Sequence, residues 1–155
     1  MNMVDRSTIV NDAMTVARHP EDFIERFVLV KKRIQATGAA VYATVDLGSM
    51  QAKLLRHIGR NSQISQAALA RATDSDPTLT GRTLATLIER GLVRRERSAE
   101  DRREYVLELT AAGKRLREKV EKLRSQLAER VVSALDDRDF EDFERVTAKI
   151  LATLE

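Results

Sequence analysis

The chain contains 155 residues, of which 33% are charged and 4% are aromatic, and none is cysteine. Such a length suits one domain with a real core, and so few aromatic residues favour long helices with charged faces over an all-β core. Without cysteine, disulfide bonds, thiolate metal sites and thiol-based redox sensing are excluded, and without an apolar run of about twenty residues we expect a soluble, cytoplasmic protein.

The net charge is only +3, but the positive residues are concentrated in one part of the chain. Residues 82–103 contain seven arginines against four acidic residues. Residues 51–63 contain no acidic residue and three basic ones, which are Lys53, Arg56 and Arg60. This distribution predicts a local phosphate-binding surface rather than a globally basic protein.

The first predicted element is an N-terminal helix within residues 20–45. Its apolar side chains recur at helical spacing and share one face, namely Phe23, Phe27, Val30 and Ile34. We expect residues 1–19 to form a partly ordered arm that can swap onto a second copy of the chain.

Two short helices follow in the centre of the chain. Residues 64–73 form the first, in which Ser65 supplies an N-terminal cap and the inner stripe is Ala68, Leu69 and Ala72. Asp76 and Pro77 begin the second, because aspartate caps a helix and proline is tolerated in its first turn. Gly91 supplies the left-handed residue that ends it.

The second of these helices has an inner and an outer face. The inner positions repeat at helical spacing and are Leu79, Leu84, Leu87 and Ile88. The outer positions are Thr78, Thr80, Gly81, Arg82 and Thr83. A glycine inside a helix costs stability, and Gly81 has two interpretations: close approach of a ligand to the backbone, or close packing on a neighbouring helix.

A basic hairpin comes next. Its strands are LVRRER and EYVLELT, its charged tip is SAEDRR, and five arginines fall within ten residues, namely Arg94, Arg95, Arg97, Arg102 and Arg103. Guanidinium groups on such a tip suit the narrow minor groove of DNA, and Asp101 can fix the direction of a neighbouring arginine. A solvated, salt-bridged turn is the alternative.

Helix, turn, helix and basic hairpin in this order predict a winged helix-turn-helix, which places its second helix in the major groove of DNA. The predicted fold class is mainly α with a small β-hairpin wing, flanked by N- and C-terminal dimerisation helices. The residues predicted to contact double-stranded operator DNA are Ser65, Gln66, Thr78, Thr80, Gly81, Arg82, Thr83, Arg95, Arg97, Asp101, Arg102 and Arg103.

Two amphipathic helices are predicted at the C-terminal end. Residues 111–135 carry one stripe, made of Leu116, Val120, Leu123, Leu127, Val131 and Leu135. Phe140, Phe143, Val146, Ile150 and Leu154 form the next. Acidic residues at 136–142 cap such a helix more often than they bind a metal, and we expect no metal or cofactor. The helices within 20–45 and 111–155 present more apolar surface than the lobe 46–110 can cover, which favours a homodimer over a monomeric bundle.

The hairpin resembles the wing of the MarR (multiple antibiotic resistance regulator) family. The matching residues are Gly91-Leu92-Val93, Asp101-Arg102-Arg103, and Leu109-Thr110 with Gly113. ISQAALARAT likewise resembles that family's first motif helix, whereas Ser98-Ala99-Glu100 lacks the Asp-Pro often found there. The resemblance covers nearly the whole chain, so residues 1–155 are expected to form one domain of this type. It implies that Arg103 enters the minor groove and that Asp101 orients it.

The resemblance also implies a function. It leads us to expect a homodimeric, ligand-responsive transcription regulator, more often a repressor than an activator, that binds an inverted-repeat operator. In such a protein a small aromatic or phenolic effector binds between the dimerisation helices and the winged lobe. Candidate lining residues are Tyr42, Met50, Arg56 and His57, among which Arg56 offers a cation to a carboxylate.

Two alternatives remain open at this point. One is a DNA-binding regulator without an effector, and the other is a winged-helix module for protein interaction, which has no need of five wing arginines. Enzyme activity finds little support, because the two histidines lie 38 residues apart and no phosphate loop or nucleophile–base pair is visible.

Overall fold

The computed structural model describes residues 19–154, which form six α-helices and three short β-strands. The helices are α1 (Pro20–Ala43), α2 (Ser49–Arg60), α3 (Gln66–Ala72), α4 (Pro77–Glu89), α5 (Ala111–Val132) and α6 (Asp137–Ala152), and the strands are β1 (Ile64–Ser65), β2 (Val93–Arg97) and β3 (Tyr105–Leu109). Within the described residues, the chain divides after Ala36 into two compact units. Apart from His19, the predicted arm of residues 1–19 lies outside the described residues.

The predicted helix-turn-helix and wing are confirmed, and local signals set their limits. Ser65 Oγ accepts a hydrogen bond from the backbone N–H of Ala68 at 3.2 Å, so it caps α3. Asp76 Oδ1 accepts from the N–H of Leu79 at 2.8 Å, and Pro77 occupies the first turn of α4. Gly91 has a φ of 67°, the left-handed conformation that ends α4 and turns the chain into β2.

A third strand joins the hairpin. The three strands are antiparallel in the order β1-β3-β2, with Ile64 opposite Leu107 and Ser65 opposite Val106. The sequence pattern assigned Ile64 and Ser65 to the following helix instead. A strand of two residues is too short to show an alternating pattern, so periodicity could not reveal it.

The core lies inside the unit that begins at Thr37. It is formed by apolar side chains of α2, α3, α4, the sheet and α5, and its largest fully buried members are Leu54, Leu55, Ile58, Leu69, Leu84, Leu87, Leu107, Val93 and Val120. This cluster fixes α4 and the base of the wing on one framework. Among residues 19–154, no helix is both long and apolar enough to cross a membrane.

Most of the predicted inner positions of the two short helices are buried or half-buried, but three single positions are wrong. Leu79 was assigned to the core, but 49% of it is exposed, whereas Thr80 was assigned to the outer face and is fully buried. Thr80 is one turn before Leu84, and its hydroxyl donates to the carbonyl oxygen of Asp76 at 2.9 Å, so a buried threonine is satisfied there. In α3, Leu69 is buried as predicted, but Ala72 is exposed and Ala70 is buried in its place.

The start of α5 is fastened to the end of α4. Thr110 Oγ1 donates to the carbonyl oxygen of Gly91 at 2.6 Å and accepts from the N–H of Gly113 at 3.1 Å. A Cβ atom on Gly113 would collide with the carbonyl oxygen of Leu92. The Leu-Thr-x-x-Gly pattern therefore has a physical cause, because threonine caps α5 and only glycine allows this close approach.

Candidate nucleic-acid interface

The outer face of α4 is the first part of the candidate site. Thr78, Leu79 and Arg82 are exposed, and Gly81 and Thr83 are half-buried beside them. The hydroxyl proton of Thr83 is donated to the carbonyl oxygen of Leu79 at 2.9 Å, which leaves the hydroxyl oxygen free to accept. This face can therefore accept hydrogen bonds through Thr83 and donate them through the Arg82 guanidinium.

Strand register separates the wing arginines into two groups. Arg95 and Arg97 lie opposite Leu107 and Tyr105, and so project from the face of the sheet that Leu107 uses to reach the core. Arg97 is centred 4.7 Å from the ring of Tyr105, a cation–π distance. Its Nη1 also donates to the carbonyl oxygen of Arg102 at 2.5 Å, which ties the wing strand to its tip.

Arg94 projects from the opposite face of the sheet. It forms ion pairs with Glu96 at 2.9 Å and with Glu108 at 2.8 Å. The hydrogen bond from Arg94 holds the pKa of the Glu108 carboxyl below its ordinary value. Two carboxylates already compensate this arginine, so it contributes less to a phosphate-binding surface than the other four wing arginines.

The wing tip is shaped by hydrogen bonds to the main chain. Asp101 Oδ1 accepts from the backbone N–H of Arg103 at 2.9 Å. Ser98 Oγ accepts from the N–H groups of Glu100 and Asp101 at 3.2 and 3.3 Å. Asp101 was predicted to direct the Arg103 guanidinium, whereas here it fixes the backbone that carries that side chain. Sequence reasoning noted Ser98 only as a departure from the Asp-Pro pattern and missed its role, which is the ordinary turn-forming role of serine.

Gln66 connects the two helices of the motif with the wing. Its side-chain oxygen accepts from Arg95 Nη2 at 2.8 Å. Its side-chain nitrogen would lie 3.2 Å from a Cβ atom placed on Gly81. The second interpretation of Gly81, close packing on a neighbouring helix, therefore has a structural basis. Ser65, beside Gln66, uses its oxygen to cap α3 and keeps its hydroxyl proton available.

Two of the three basic residues of α2 are engaged inside the protein, and Arg60 is exposed. Lys53 Nζ donates to the carbonyl oxygen of Thr73, at the end of α3. Arg56 is buried, and its Nε is 3.2 Å from Glu121 Oε1, which Arg60 also approaches at 3.4 Å. The prediction that this segment adds to a phosphate-binding surface is therefore wrong for Lys53 and Arg56, which join α2 to α3 and to α5.

The four predicted effector-lining residues lie outside the two clefts described for residues 19–154. A cleft of about 590 Å³ lies between α3 and the start of α4, and one of about 290 Å³ lies beside Asp46 and Arg90, and neither is lined by Tyr42, Met50, Arg56 or His57. Tyr42 and Met50 pack against the core instead. Arg56 was expected to offer a cation to a carboxylate, but Glu121 already occupies it.

Partial burial, followed by the charges of Arg56, Lys53 and Arg60, lowers the pKa of His57 below its ordinary value of 6.5. A neutral imidazole is therefore favoured at this position near neutral pH. The charges of these three cations and the partial burial of His57 act in the same direction.

Comparisons with known proteins agree with this geometry. A family model described as MarR family matches residues 45–104. The transcriptional regulator HosA of Escherichia coli is 31% identical over 108 residues, which cover 70% of this chain and 80% of HosA. The HTH-type transcriptional regulator BilQ of Clostridium symbiosum is 29% identical over 126 residues, which cover 81% of this chain and 82% of BilQ.

Solved structures show the same fold. A mutant of E. coli MarR complexed with operator DNA has a TM-score of 0.74 at 21% identity, over 88% of this chain and 99% of that one. The chain has a winged helix-turn-helix and matches these two relatives over most of their length. The chain belongs to the MarR family of transcriptional regulators.

Proposed function

We propose that this protein is a sequence-specific DNA-binding repressor that binds an inverted-repeat operator as a homodimer and releases it in response to a small anionic effector. The observation that carries the DNA-binding part is the continuous surface from α4 through Gln66 to Arg95 and the wing tip. It combines exposed base-reading side chains with arginines that are not neutralised by carboxylates, which is the pairing of features that groove recognition requires.

In this proposal α4 enters the major groove and the wing tip enters the adjacent minor groove. Thr78, Arg82 and Thr83 face the bases or the nearest phosphates, and Gly81 leaves room beside them for the Gln66 side chain. Arg95 and Arg97 follow the backbone, while Arg102 and Arg103 reach into the narrow groove, where negative potential is enhanced. Ser65 and Gln66 lie at the start of α3, where backbone N–H groups also favour phosphate.

Exposed apolar side chains support the homodimer. In the unit that ends at Ala36 they are Phe23, Ile24, Phe27, Val28, Leu29, Val30 and Ile34, and towards the end of the chain they are Val131, Leu135, Phe140, Phe143, Leu151 and Leu154. Apolar surface on this scale marks an interaction site more often than a solvated face. A two-fold copy of the chain would cover it and would set two α4 helices about one helical turn of DNA apart, or a multiple of that distance.

Selection from a random duplex library tests the DNA-binding proposal. The enriched sequences should share an inverted repeat, and sedimentation of the complex should give two chains per duplex. Enrichment of unrelated sequences with equal affinity would contradict sequence-specific binding. A reporter driven by a promoter that overlaps the selected operator then tests the sign, because a repressor lowers expression when the protein is supplied.

The effector part of the proposal is supported by electrostatics alone. Arg56 and Arg60 share the single carboxylate of Glu121, and Arg60 is the exposed one of the two, so it is the cation that an anionic effector could reach. A ligand shifts the equilibrium only through different affinities for the DNA-competent and DNA-incompetent states. Titrating the operator complex with salicylate-like phenolic acids should release DNA, and His57→Ala should reduce that release. Release by none of the compounds would favour a regulator without an effector.

A further inference from the structure

We propose that Gln66 is a positioning residue for Arg95. In the free protein its amide holds the Arg95 guanidinium beside α4, and on DNA binding a phosphate replaces the amide as the hydrogen-bond partner of Arg95. This inference rests on the proposed DNA-binding function. It assigns the phosphate contact of Arg95 to Arg95 and Gln66 together.

The two partners of Gln66 belong to different elements. The side-chain oxygen accepts from Arg95 Nη2 of β2 at 2.8 Å, and the side-chain nitrogen lies against Gly81 of α4. Gln66 itself is the first residue of α3, directly after the Ser65 cap and the pairing of Ser65 with Val106. Its backbone is therefore fixed from two sides, and only its side chain is left to set the direction of Arg95.

The neutral character of Gln66 is what makes the exchange possible. Arg94 is held by two carboxylates, which compensate its charge, whereas Arg95 is bonded to an amide and no carboxylate of the described residues lies within ion-pair distance of it. An exposed arginine held by an amide keeps its full charge and loses only one hydrogen bond when a phosphate replaces the amide. Gln66 thus orients the cation without competing electrostatically with DNA.

Gly81 provides the space for this arrangement. The nearest atom to a Cβ atom built on Gly81 is Gln66 Nε2, at 3.2 Å, which is closer than ordinary contact. Any side chain at this position would push the amide away from α4. The position of the Gln66 amide therefore depends on the absence of a side chain at Gly81.

A double-mutant cycle on the most enriched operator duplex tests the inference. Arg95→Met should weaken binding about tenfold or more and lower the slope of log affinity against log salt by about 1, as expected for the loss of one phosphate contact. Gln66→Met should weaken binding about 3- to 10-fold on its own, and should add nothing in the Arg95→Met background. Gln66→Glu should weaken binding at least as much, because the carboxylate keeps the hydrogen bond but neutralises the cation. Arg124→Met, which removes an exposed arginine of α5, is the control for net charge and should leave the salt slope unchanged.

The outcomes separate this inference from the proposed function. If the wild type binds the operator and the two effects multiply independently, Gln66 does not act through Arg95 and the inference is overturned while DNA binding stands. If the wild type shows no salt-dependent binding to any duplex, both the proposed function and this inference are contradicted. A readout without DNA is the side-chain amide resonance of Gln66, which should move in Arg95→Met. An unmoved resonance would also overturn the inference.

Discussion

Five arginines in one short hairpin have different surroundings, and those surroundings decide what each can do. Arg94 is compensated by Glu96 and Glu108, and Arg97 is held by the Tyr105 ring and the Arg102 carbonyl. Arg103 stands at the tip on a backbone fixed by Asp101. Residue type alone could not distinguish them, because the distinction arises from which strand residue lies opposite.

The exposed tip leads to a prediction for Arg103. Arg103→Ala should weaken operator binding by about 1–3 kcal/mol and leave the unfolding midpoint unchanged, because the side chain has little packing role. Asp101→Ala should weaken binding less, since it loosens the turn without removing the cation. The measurement is a binding titration with matched thermal unfolding. Unchanged affinity in Arg103→Ala would contradict the minor-groove placement of the wing.

At Gly81, stability and binding should change in opposite directions. Alanine is favoured over glycine inside a helix by up to about 1 kcal/mol, and the contact with Gln66 involves the flexible end of a side chain that can move. Gly81→Ala should therefore unfold at the same temperature or higher, yet bind the operator more weakly. In a Gln66→Ala background the same change should cost no affinity. Equal loss in both backgrounds would show that Gly81 faces DNA directly.

At the scale of elements, capping chemistry was predictable, and so was the inner face of each short helix except at its edge positions. Ser65, Asp76 and Gly91 mark their boundaries by residue type, and each acts as the sequence indicated. The sequence could not show that Thr80 is inside and Leu79 outside, because a threonine that bonds to its own helix backbone hides its polarity. Nor could it show that a two-residue β1 completes the sheet.

The candidate site was predicted correctly where it depends on local pattern, and not where it depends on distant contacts. The wing and the outer face of α4 follow from local pattern, and most of their predicted residues are exposed or half-buried as expected. Charge and residue type alone indicate Arg56 and His57 as effector residues, but Arg56 is paired with Glu121, which lies 65 residues further along the chain. No pattern within one sequence reveals such a pairing.

The surroundings of His57 lead to a prediction about pH. Because burial and neighbouring cations lower the pKa of folded His57, the unfolded chain binds more protons between that lowered value and about 6.5. The free energy of unfolding should therefore fall as the pH drops below about 6.5, and should level off once the pH is below the pKa of His57 in the folded protein. Unfolding midpoints of the wild type and His57→Gln should differ by more at pH 5.5 than at pH 8, with the shift against the wild type. A constant difference would contradict this charge environment.

At the scale of the whole molecule, the proposed homodimer can be tested most directly by a substitution at Phe143. Leu127 is less suitable, because it lies 3.5 Å from a Cβ atom placed on Gly38 and so contributes to packing within one chain. Phe143 is 62% exposed on α6, so a charge there is tolerated by an isolated chain and not by an apolar interface. Phe143→Asp should remain folded, sediment as a monomer and lose operator binding.

Glu144→Asp, a change at the neighbouring exposed position, is the matched control and should remain a dimer. A folded Phe143→Asp dimer with normal affinity would show that this end of α6 is not part of the interface. Circular dichroism of both variants separates loss of association from loss of fold.

The fastening of α5 to the wing through Thr110 and Gly113 has a mechanical consequence. A helix of the length of α5, 22 residues, extends about 33 Å, and it begins where α4 has just ended and β2 starts. Because these hydrogen bonds fix the joint, a rotation of α5 about its C-terminal end would carry the DNA-reading lobe with it. A tilt of about 5° about its far end would carry Gly113 and the wing base roughly 3 Å, a displacement comparable to one base-pair step. A change in the angle of one long helix would thus suffice to move α4 out of register with the groove, without any rearrangement inside the lobe.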